Sequence, residues 1–180
     1  EPARVLDLCT GSGCLAVLAA LAWSEATVLA TDISAEALAV ARRNVERHDL
    51  AARIELRQGD GLAALRPGDT FDLVLCNPPY VNATSMAMLP TEFRAEPALA
   101  LAGGADGMDF VRPLLAGITE YLQPEGALVL EVGHERAHFE AAFPKLSSRG
   151  APMWLSTSTG DDQVVLLTRA GLLAAMPPRR

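Results

Sequence analysis

Short apolar runs and helical patterns alternate along most of the chain. The apolar runs are rich in Val and Leu and are bounded by Gly, Asp or Asn, as is typical of buried strands. They predict strands at 3–8, 26–31, 53–58, 71–76, 126–132, 152–158 and 163–168. The patterns between them predict helices at 13–23, 34–48, 108–122 and 135–146. Because continuous apolar strands are typical of parallel sheets covered on both faces, we expect an α/β fold with a doubly wound, Rossmann-like sheet.

The composition fits one globular domain. Of the 180 residues, 50% are hydrophobic and 21% are charged, which excludes a disordered chain. The formal net charge of −7 makes binding to a nucleic-acid backbone by charge improbable. The cysteines Cys9, Cys14 and Cys76 are too few for a disulfide framework and indicate a reducing, cytoplasmic compartment. No apolar run approaches the roughly 18 residues that a membrane span needs.

The carboxyl ends of the predicted strands are where a ligand is expected, because open α/β sheets bind ligands there. The segment 81–106, which follows the fourth strand, is too long for an ordinary connection, and such loops are usually functional. We therefore examine the residues that directly follow each strand.

A glycine loop and an aspartate follow the first two strands. Gly11 and Gly13 allow a tight turn and a close approach of a ligand at the start of the next helix. Their spacing also satisfies a loose dinucleotide fingerprint, which alone is a weak signal. Asp32 lies about twenty residues further on, where a carboxylate accepts the hydroxyls of a ribose. The alternative for Asp32 is a helix-entry residue beside the predicted N-cap Ser34.

A further carboxylate, Asp60, follows the third strand and can accept a hydrogen bond from an exocyclic amino group such as that of adenine. The three strand ends together suit an adenosine-containing ligand, either a nicotinamide cofactor or S-adenosylmethionine. Asp7 favours S-adenosylmethionine, because a carboxylate just before the glycines repels a pyrophosphate and attracts the ammonium of a methionine moiety.

The fourth strand ends in the tetrapeptide Asn77-Pro78-Pro79-Tyr80. Consecutive prolines fix the backbone and lack N–H groups. The side-chain oxygen of Asn77 and the carbonyl oxygen of Pro78, which we call the amide clamp, can then hold both protons of a planar NH2 group, with Tyr80 as an apolar wall. An amide nitrogen has a weak lone pair, so positioning does most of the catalytic work. The alternative is a proline-rich strand stop with a capping asparagine.

The motifs DLCTGSG, TDIS, GD and NPPY, in this order, resemble the class I S-adenosylmethionine-dependent methyltransferases. More specifically, they resemble the HemK/PrmC and PrmB family, which methylates glutamine side-chain amides. The resemblance runs from about 4 to 168, includes the stretch LPTEFRAEPALALAGGADGMD, and is closer to the ribosomal-protein branch (PrmB) than to the release-factor branch. It implies a mostly parallel sheet with a terminal antiparallel strand and a catalytic domain over 1–170. It further implies an N-terminal helical substrate-binding domain outside this chain. Independently of the resemblance, the chain end, which closes in PPRR, predicts a disordered tail over 171–180.

The resemblance also implies roles for single residues. S-adenosylmethionine would contact residues after the first four strands, namely Asp7, Cys9, Thr10, Gly11, Ser12, Gly13, Asp32, Ile33, Asp60, Gly61 and Asn77. The glutamine amide of a protein substrate would contact the catalytic residues Asn77, Pro78, Pro79 and Tyr80. Glu96 and Pro97 would order the loop over the substrate. Gly61 stands where release-factor enzymes can place an aromatic residue, so adenine stacking must either come from elsewhere, for example from Leu62, or be weaker. The product would be S-adenosylhomocysteine.

Several other features can be explained by structural roles that involve no ligand. His134 and His138 complete a formal H-E-x-x-H zinc motif, but it falls at the start of a covering helix, where a solvated helix end is expected and no metal. Glu131 either faces the cleft or terminates its strand. Trp23 and Trp154 are expected to be packing residues.

Two other functions stay open from the sequence. The first is methylation of an exocyclic amine of adenine or guanine in a nucleic acid, against which stand the net charge and the lack of a basic or aromatic stripe. The second is a cofactor-binding module that is inactive without a partner domain.

Overall fold

A computed structural model describes residues 1–88, 97–156 and 163–176. Within these ranges seven strands form one sheet: β1 (Arg4–Leu8), β2 (Thr27–Asp32), β3 (Ile54–Gln58), β4 (Phe71–Cys76), β5 (Leu122–Glu131), β6 (Met153–Leu155) and β7 (Val164–Thr168). The α-helices described are α1 (Cys14–Ala22), α2 (Ala35–Arg47), α3 (Ala83–Ala87), α4 (Ala98–Leu101), α5 (Val111–Gly117), α6 (Arg136–Ala142) and α7 (Arg169–Ala175). In the described part of the chain, no helix is long and apolar enough to cross a bilayer.

The sheet has the strand order β3-β2-β1-β4-β5-β7-β6 and is parallel except at one end. β1 pairs in parallel with β2 and β4, β2 pairs with β3, and β4 pairs with β5. β7 runs antiparallel to β5, and β6 runs antiparallel to β7. The predicted mostly parallel sheet with an antiparallel end is therefore confirmed.

Side chains that alternate along the strands pack into two cores, one on each face of the sheet. On one face, strand residues such as Leu6 and Leu128 pack with side chains of α5, α6 and α7, among them the fully buried Phe139. On the other face, Val5 and Val28 pack with alanines of α1. The strands read as continuous apolar runs because both kinds of position meet a core.

The described parts of the segment 81–106 form helices and a bridge, whereas the sequence indicated a loop. α3 and α4 lie within it, and Asn82 caps α3 by accepting a hydrogen bond from the backbone N–H of Ser85 at 2.9 Å. The N–H of Val81 donates to the carbonyl of Leu101 at 2.8 Å, and the N–H of Gly103 donates back to Val81 at 2.9 Å. The chain therefore returns to the end of the Asn77–Tyr80 tetrapeptide.

Two predicted helices are shorter than their patterns. The helix predicted at 108–122 is confined to α5 and a following 3-10 turn, because Leu122 already pairs with Phe71 of β4. The helix predicted at 135–146 is confined to α6. In the first case the pairing of a strand overrides a local helical pattern.

The expected disordered tail over 171–180 is corrected at its start. Residues through Ala175 belong to α7, whose N-cap Thr168 accepts a hydrogen bond from the N–H of Gly171 at 3.1 Å. Leu172 and Ala175 are buried in the core that contains Leu6 and Leu128, which we call the main core, so this core holds the helix in place. Residues 177–180 lie outside the described ranges.

Candidate functional site

The carboxyl ends of four neighbouring strands bring the predicted site residues to one edge of the sheet. The order β3-β2-β1-β4 places the end of β1, with its glycine loop, between the ends of β2 and β4. Asp32 ends β2, Asp60 follows β3, and Asn77 follows β4. This edge is the switch point at which open α/β sheets bind ligands.

The glycine loop is tied to Asp32 by hydrogen bonds. The N–H of Gly11 donates to Asp32 Oδ2 at 2.8 Å, and the N–H of Ser34 donates to Oδ1 at 2.9 Å. Gly11 has φ +54° and a Cβ on it would meet no atom within 4 Å, so the loop opens to space there. A Cβ on Gly13 would lie 3.0 Å from the Cβ of Ala41, so Gly13 lets the loop pack on α2. The half-buried carboxylate of Asp32 thus sits fixed beside an open backbone loop.

Asp7 lies beneath the loop and is fully buried. Its Oδ2 accepts hydrogen bonds from the hydroxyl of Thr10 at 2.5 Å and from the N–H of Ala16 at 2.9 Å, while its Oδ1 has no partner within the described ranges. Burial raises the pKa of Asp7 to about 6, against the lowering effect of these two hydrogen bonds and with a further increase from the charge of Asp32. Asp7 therefore holds the glycine loop to the start of α1. Its carboxylate does not reach the solvent-facing surface of that loop.

The remaining loop residues differ in exposure. Cys9 adopts φ +63° and packs against the main core, whereas Ser12 is exposed and its carbonyl accepts a hydrogen bond from the side chain of Asn44 at 2.9 Å. Cys76, the last residue of β4, is buried, and its burial, with the neighbouring Cys9 thiol, raises the pKa of its thiol. Ile33, after Asp32, exposes 44% of its surface and offers an apolar side chain next to the loop.

A cavity of about 240 Å³ lies at the end of β3. Asp60, Gly61, Leu62 and Phe110 line it. A Cβ on Gly61 would lie 3.5 Å from the ring of Phe110, which is ordinary van der Waals contact, so this ring, from the N-terminal end of α5, lies directly beside Gly61. Sequence reasoning missed Phe110, since nothing in the sequence signals that a residue 50 positions away faces this cavity.

A larger cavity, about 390 Å³, lies at the opposite, amino ends of β1, β2 and β3 and includes Arg53. The guanidinium of Arg53 donates from Nη1 to the carbonyls of Ala20, Trp23 and Ala26 at 2.7, 3.2 and 3.3 Å. This arginine closes the end of α1, and the cavity contains none of the predicted site residues.

The Asn77–Tyr80 tetrapeptide turns away from the sheet with trans peptide bonds. Asn77 is exposed and Pro78 is buried. In the described part of the chain, neither the Asn77 side chain nor the Pro78 carbonyl has a hydrogen-bond partner. The hydroxyl of Tyr80 donates to Glu131 Oε1 at 2.9 Å. The sequence left open whether Glu131 faces the cleft or only terminates its strand. In the structure, Glu131 is the last residue of β5 and its side chain also contacts Tyr80 of the predicted site.

The H-E-x-x-H residues have other partners. Glu135 is buried and accepts a hydrogen bond from Asn82 Nδ2 at 2.6 Å, and its other oxygen lies 2.5 Å from His138 Nδ1. His134 Nδ1 lies 3.4 Å from the side-chain nitrogen of Gln163. Among the residues that the structure describes, no group of His, Cys, Asp and Glu side chains is arranged to hold a metal ion.

Two residues predicted to order the substrate loop are only partly accounted for. Glu96 lies outside the described residues, and Pro97 precedes α4 as its exposed N-cap residue. The predicted packing roles fit both tryptophans, since Trp23 packs against one core and Trp154 against the other.

Comparison with known proteins gives consistent results. A methyltransferase small domain model matches residues 1–106. Proteins named ribosomal protein uL3 glutamine methyltransferase are similar to this chain in Bordetella pertussis (59% identity, covering 94% of this chain and 55% of the relative) and in Burkholderia pseudomallei (52%, 94% and 56%). The chain therefore spans about half the length of the curated relatives that it matches.

The fold is also found in a solved structure. A methyltransferase from Pyrococcus furiosus superposes with a TM-score of 0.66 at 18% identity, covering 93% of this chain and 75% of that chain. At this identity the likeness speaks for the fold alone. The match to the family model spans more than half of the 180 residues, and the chain thus belongs to the methyltransferase small domain family.

Proposed function

We propose that residues 1–170 form the catalytic domain of an S-adenosylmethionine-dependent methyltransferase that methylates the side-chain amide nitrogen of a glutamine in ribosomal protein uL3. The observation that carries this proposal is the carboxamide of Asn77 at the end of β4, next to the glycine loop, because it is exposed and has no hydrogen-bond partner among the residues that the structure describes. The names of the relatives at 59% and 52% identity supply the substrate. A ribosomal substrate in turn implies a cytoplasmic location.

The cofactor fits the edge formed by the ends of β1, β2 and β3. The fixed carboxylate of Asp32 can accept ribose hydroxyls through the lone pairs left on both oxygens, and the open loop at Gly11 leaves room for the methionine part. The cavity with Asp60 and Phe110 is large enough for an adenine ring and offers an aromatic face in place of the one missing at Gly61. Bound there, S-adenosylmethionine supplies an electrophilic methyl group.

The amide clamp would hold the substrate nitrogen. Asn77 Oδ1 and the Pro78 carbonyl each accept one N–H of the glutamine carboxamide, which directs the nitrogen lone pair towards one point. Such an orientation lowers the activation barrier, because the translational and rotational entropy is lost when the substrate binds and not in the transfer step itself. A general base is not needed before transfer, because the nitrogen becomes acidic as it is alkylated.

A transfer assay with labelled cofactor tests the proposal. Ribosomal protein uL3, a release factor and RNA, each prepared without prior methylation, are offered to the wild-type chain and to Asn77→Ala. We expect label on a glutamine of uL3, and a loss of at least about a hundredfold in Asn77→Ala with little change in cofactor affinity, since a preorganised contact to the reacting group is removed.

The other outcomes of this assay contradict the proposal in different ways. Label on RNA would support the exocyclic-amine alternative, and label on the release factor would change the substrate. Cofactor binding without transfer to any of the three would support a module that needs a partner domain. Full activity of Asn77→Ala would remove the amide clamp from the mechanism.

A further inference from the structure

The turn between β5 and α6, residues 131–135, accepts side-chain hydrogen bonds from the tetrapeptide and from the residues after it at two points. Both acceptors are carboxylates, Glu131 and Glu135. Neither belongs to the set of residues that the sequence assigned to the cofactor or to the substrate.

The first contact follows from the register of the sheet. Cys76 pairs with Leu130, so Glu131 lies level with Asn77 on the neighbouring strand. The prolines turn the chain, and the hydroxyl of Tyr80 then donates to Glu131 Oε1 at 2.9 Å. A hydrogen bond to a charged acceptor in a partly buried place is among the stronger ones.

Close packing supports this contact. A Cβ on Gly133, which has φ +53°, would lie 2.3 Å from Cε2 of the Tyr80 ring. A Cβ on Gly107 would lie 2.3 Å from the Tyr80 carbonyl oxygen, and a Cβ on Gly103 would lie 2.8 Å from its carbonyl carbon. The ring and the backbone of Tyr80 are therefore enclosed at distances that only glycine allows.

The second contact lies two residues further along. Asn82 is buried and donates from Nδ2 to Glu135 Oε1 at 2.6 Å, while its own Oδ1 caps α3. Glu135 is 6% exposed, so its carboxylate is withdrawn from water on the side of Asn82. Its other oxygen meets His138.

We propose that Glu131 and Glu135 are positioning residues for the amide clamp, acting through Tyr80 and Asn82. This inference rests on the proposed function, because the clamp is what the contacts would hold. The hydroxyl of Tyr80 is then a tether, and the contribution of the residue to the site is its ring. The glutamate of the H-E-x-x-H sequence serves the same purpose, which explains its burial at the start of a covering helix.

Four protein variants that alter the hydrogen bond between Tyr80 and Glu131 test the role of Glu131. They are Glu131→Ala, Glu131→Gln, Tyr80→Phe and the double variant Tyr80→Phe/Glu131→Ala. We expect kcat to fall about tenfold in Glu131→Ala and in Tyr80→Phe, because each removes a charge-assisted hydrogen bond. The double variant should lose no more than either single one, since all three lack the same bond. Glu131→Gln should recover most of the loss, because its amide oxygen still accepts.

Glu140→Gln is the matched control, because Glu140 lies on α6 and pairs with Arg136 at the surface, 43% exposed. It should leave kcat unchanged. Cofactor affinity should be unchanged in every variant. If Glu131 were instead a proton acceptor, Glu131→Gln would lose as much as Glu131→Ala and the acid limb of the pH–rate profile would move; that result, or additive losses in the double variant, would overturn the proposal.

A readout without catalysis separates this inference from the proposed function. The chain has two tyrosines, Tyr80 and Tyr121, so ring-labelled protein gives two sets of NMR signals that Tyr80→Phe assigns. We expect the Tyr80 ring signals to broaden or shift in Glu131→Ala and in Gly133→Ala, and to stay unchanged in Glu140→Gln. For Glu135 we expect the same signals to move in Glu135→Ala. If the Tyr80 signals stay unchanged in Glu131→Ala, Gly133→Ala and Glu135→Ala alike, the inference is refuted even when the enzyme is active. If these signals move but the wild-type chain transfers no methyl group, only the proposed function is refuted.

Discussion

Asp32 is held in place by hydrogen bonds from the protein's own backbone, which is the property expected of a binding residue whose orientation matters. Both of its carboxylate oxygens accept backbone N–H groups, from Gly11 and Ser34. The carboxamide of Asn77, in contrast, is exposed, and within the described chain it has no partner. This contrast suits a site in which one residue anchors a cofactor and the other waits for a substrate.

Asp32→Asn tests the anchor. Replacing one carboxylate oxygen by NH2 sets a donor against a backbone N–H and removes the charge, so we expect the dissociation constant of S-adenosylmethionine to rise about ten- to a hundredfold, as for a lost hydrogen bond to a charged group. Calorimetric titration measures it.

The chain offers a matched control for this change. Asp72 also accepts two backbone N–H groups, from Ala3 and Arg4 at 2.9 and 2.8 Å, but at the opposite edge of the sheet. Asp72→Asn should lower stability without changing cofactor affinity. Equal affinities of Asp32→Asn and wild type would exclude a ribose contact at Asp32.

Phe110 gives a second prediction at the scale of a residue. If its ring forms one wall of the adenine site, Phe110→Ala should weaken cofactor binding about tenfold, because stacking on an aromatic ring contributes about 1–3 kcal/mol per base. Phe110→Leu keeps the apolar volume and the packing on α5 but removes the aromatic face. Binding to Phe110→Leu should therefore fall between wild type and Phe110→Ala, and wild-type affinity in both variants would place adenine elsewhere.

At the scale of elements, the junction of β1 and α1 depends on a buried carboxylate whose charge is unfavourable. Burial raises the pKa of Asp7 from 3.8 to about 6, so the folded protein holds this proton more tightly than the unfolded chain does. The contribution of Asp7 to stability is then full below pH 3.8 and is lost as the pH rises through about 6. Two pKa units correspond to about 3 kcal/mol.

The variant Asp7→Asn isolates this effect, since it keeps the shape and removes the titration. We expect its free energy of unfolding, relative to wild type, to become more favourable by about 2 kcal/mol between pH 4 and pH 7. Denaturant unfolding at several pH values measures this difference. A difference between the two proteins that does not vary with pH would show that Asp7 has an ordinary pKa in the fold.

The elements also show what the sequence could predict. β1 to β4 and the residues at their ends were predictable, because buried parallel strands are continuous apolar runs and ligands bind where such strands end. The early start of β5 was not, because Leu122 joins a strand only through its pairing with Phe71. Phe110 and Glu135 escaped prediction for the same reason, since their partners, Gly61 and Asn82, are distant in sequence and close only in the fold.

At the scale of the whole molecule, the proposed site divides into two parts with different demands. The residues that we propose to bind the cofactor lie at the ends of β1, β2 and β3, on one edge of the sheet, with Phe110 beside them. The clamp depends in addition on contacts from 103–107 and from 131–135, which hold Tyr80 and Asn82. The chain spans 55% of the Bordetella pertussis relative. In that whole relative, residues outside the matched part can add contacts to a protein substrate.

This division predicts different behaviour for the two ligands. The 180-residue chain should bind S-adenosylmethionine within about tenfold, or 1.4 kcal/mol, of the whole Bordetella pertussis relative, because the proposed cofactor contacts, at one sheet edge and at Phe110, all lie within this chain. Its KM for uL3 should be higher than that of the whole relative, because fewer surfaces reach the protein substrate. Calorimetry and steady-state transfer assays on both proteins measure the two quantities side by side. A chain that binds the cofactor far more weakly than the whole relative would mean that the sheet edge is not preformed, and the contacts that hold Asp32 to Gly11 would then have to be assembled by residues beyond these 180.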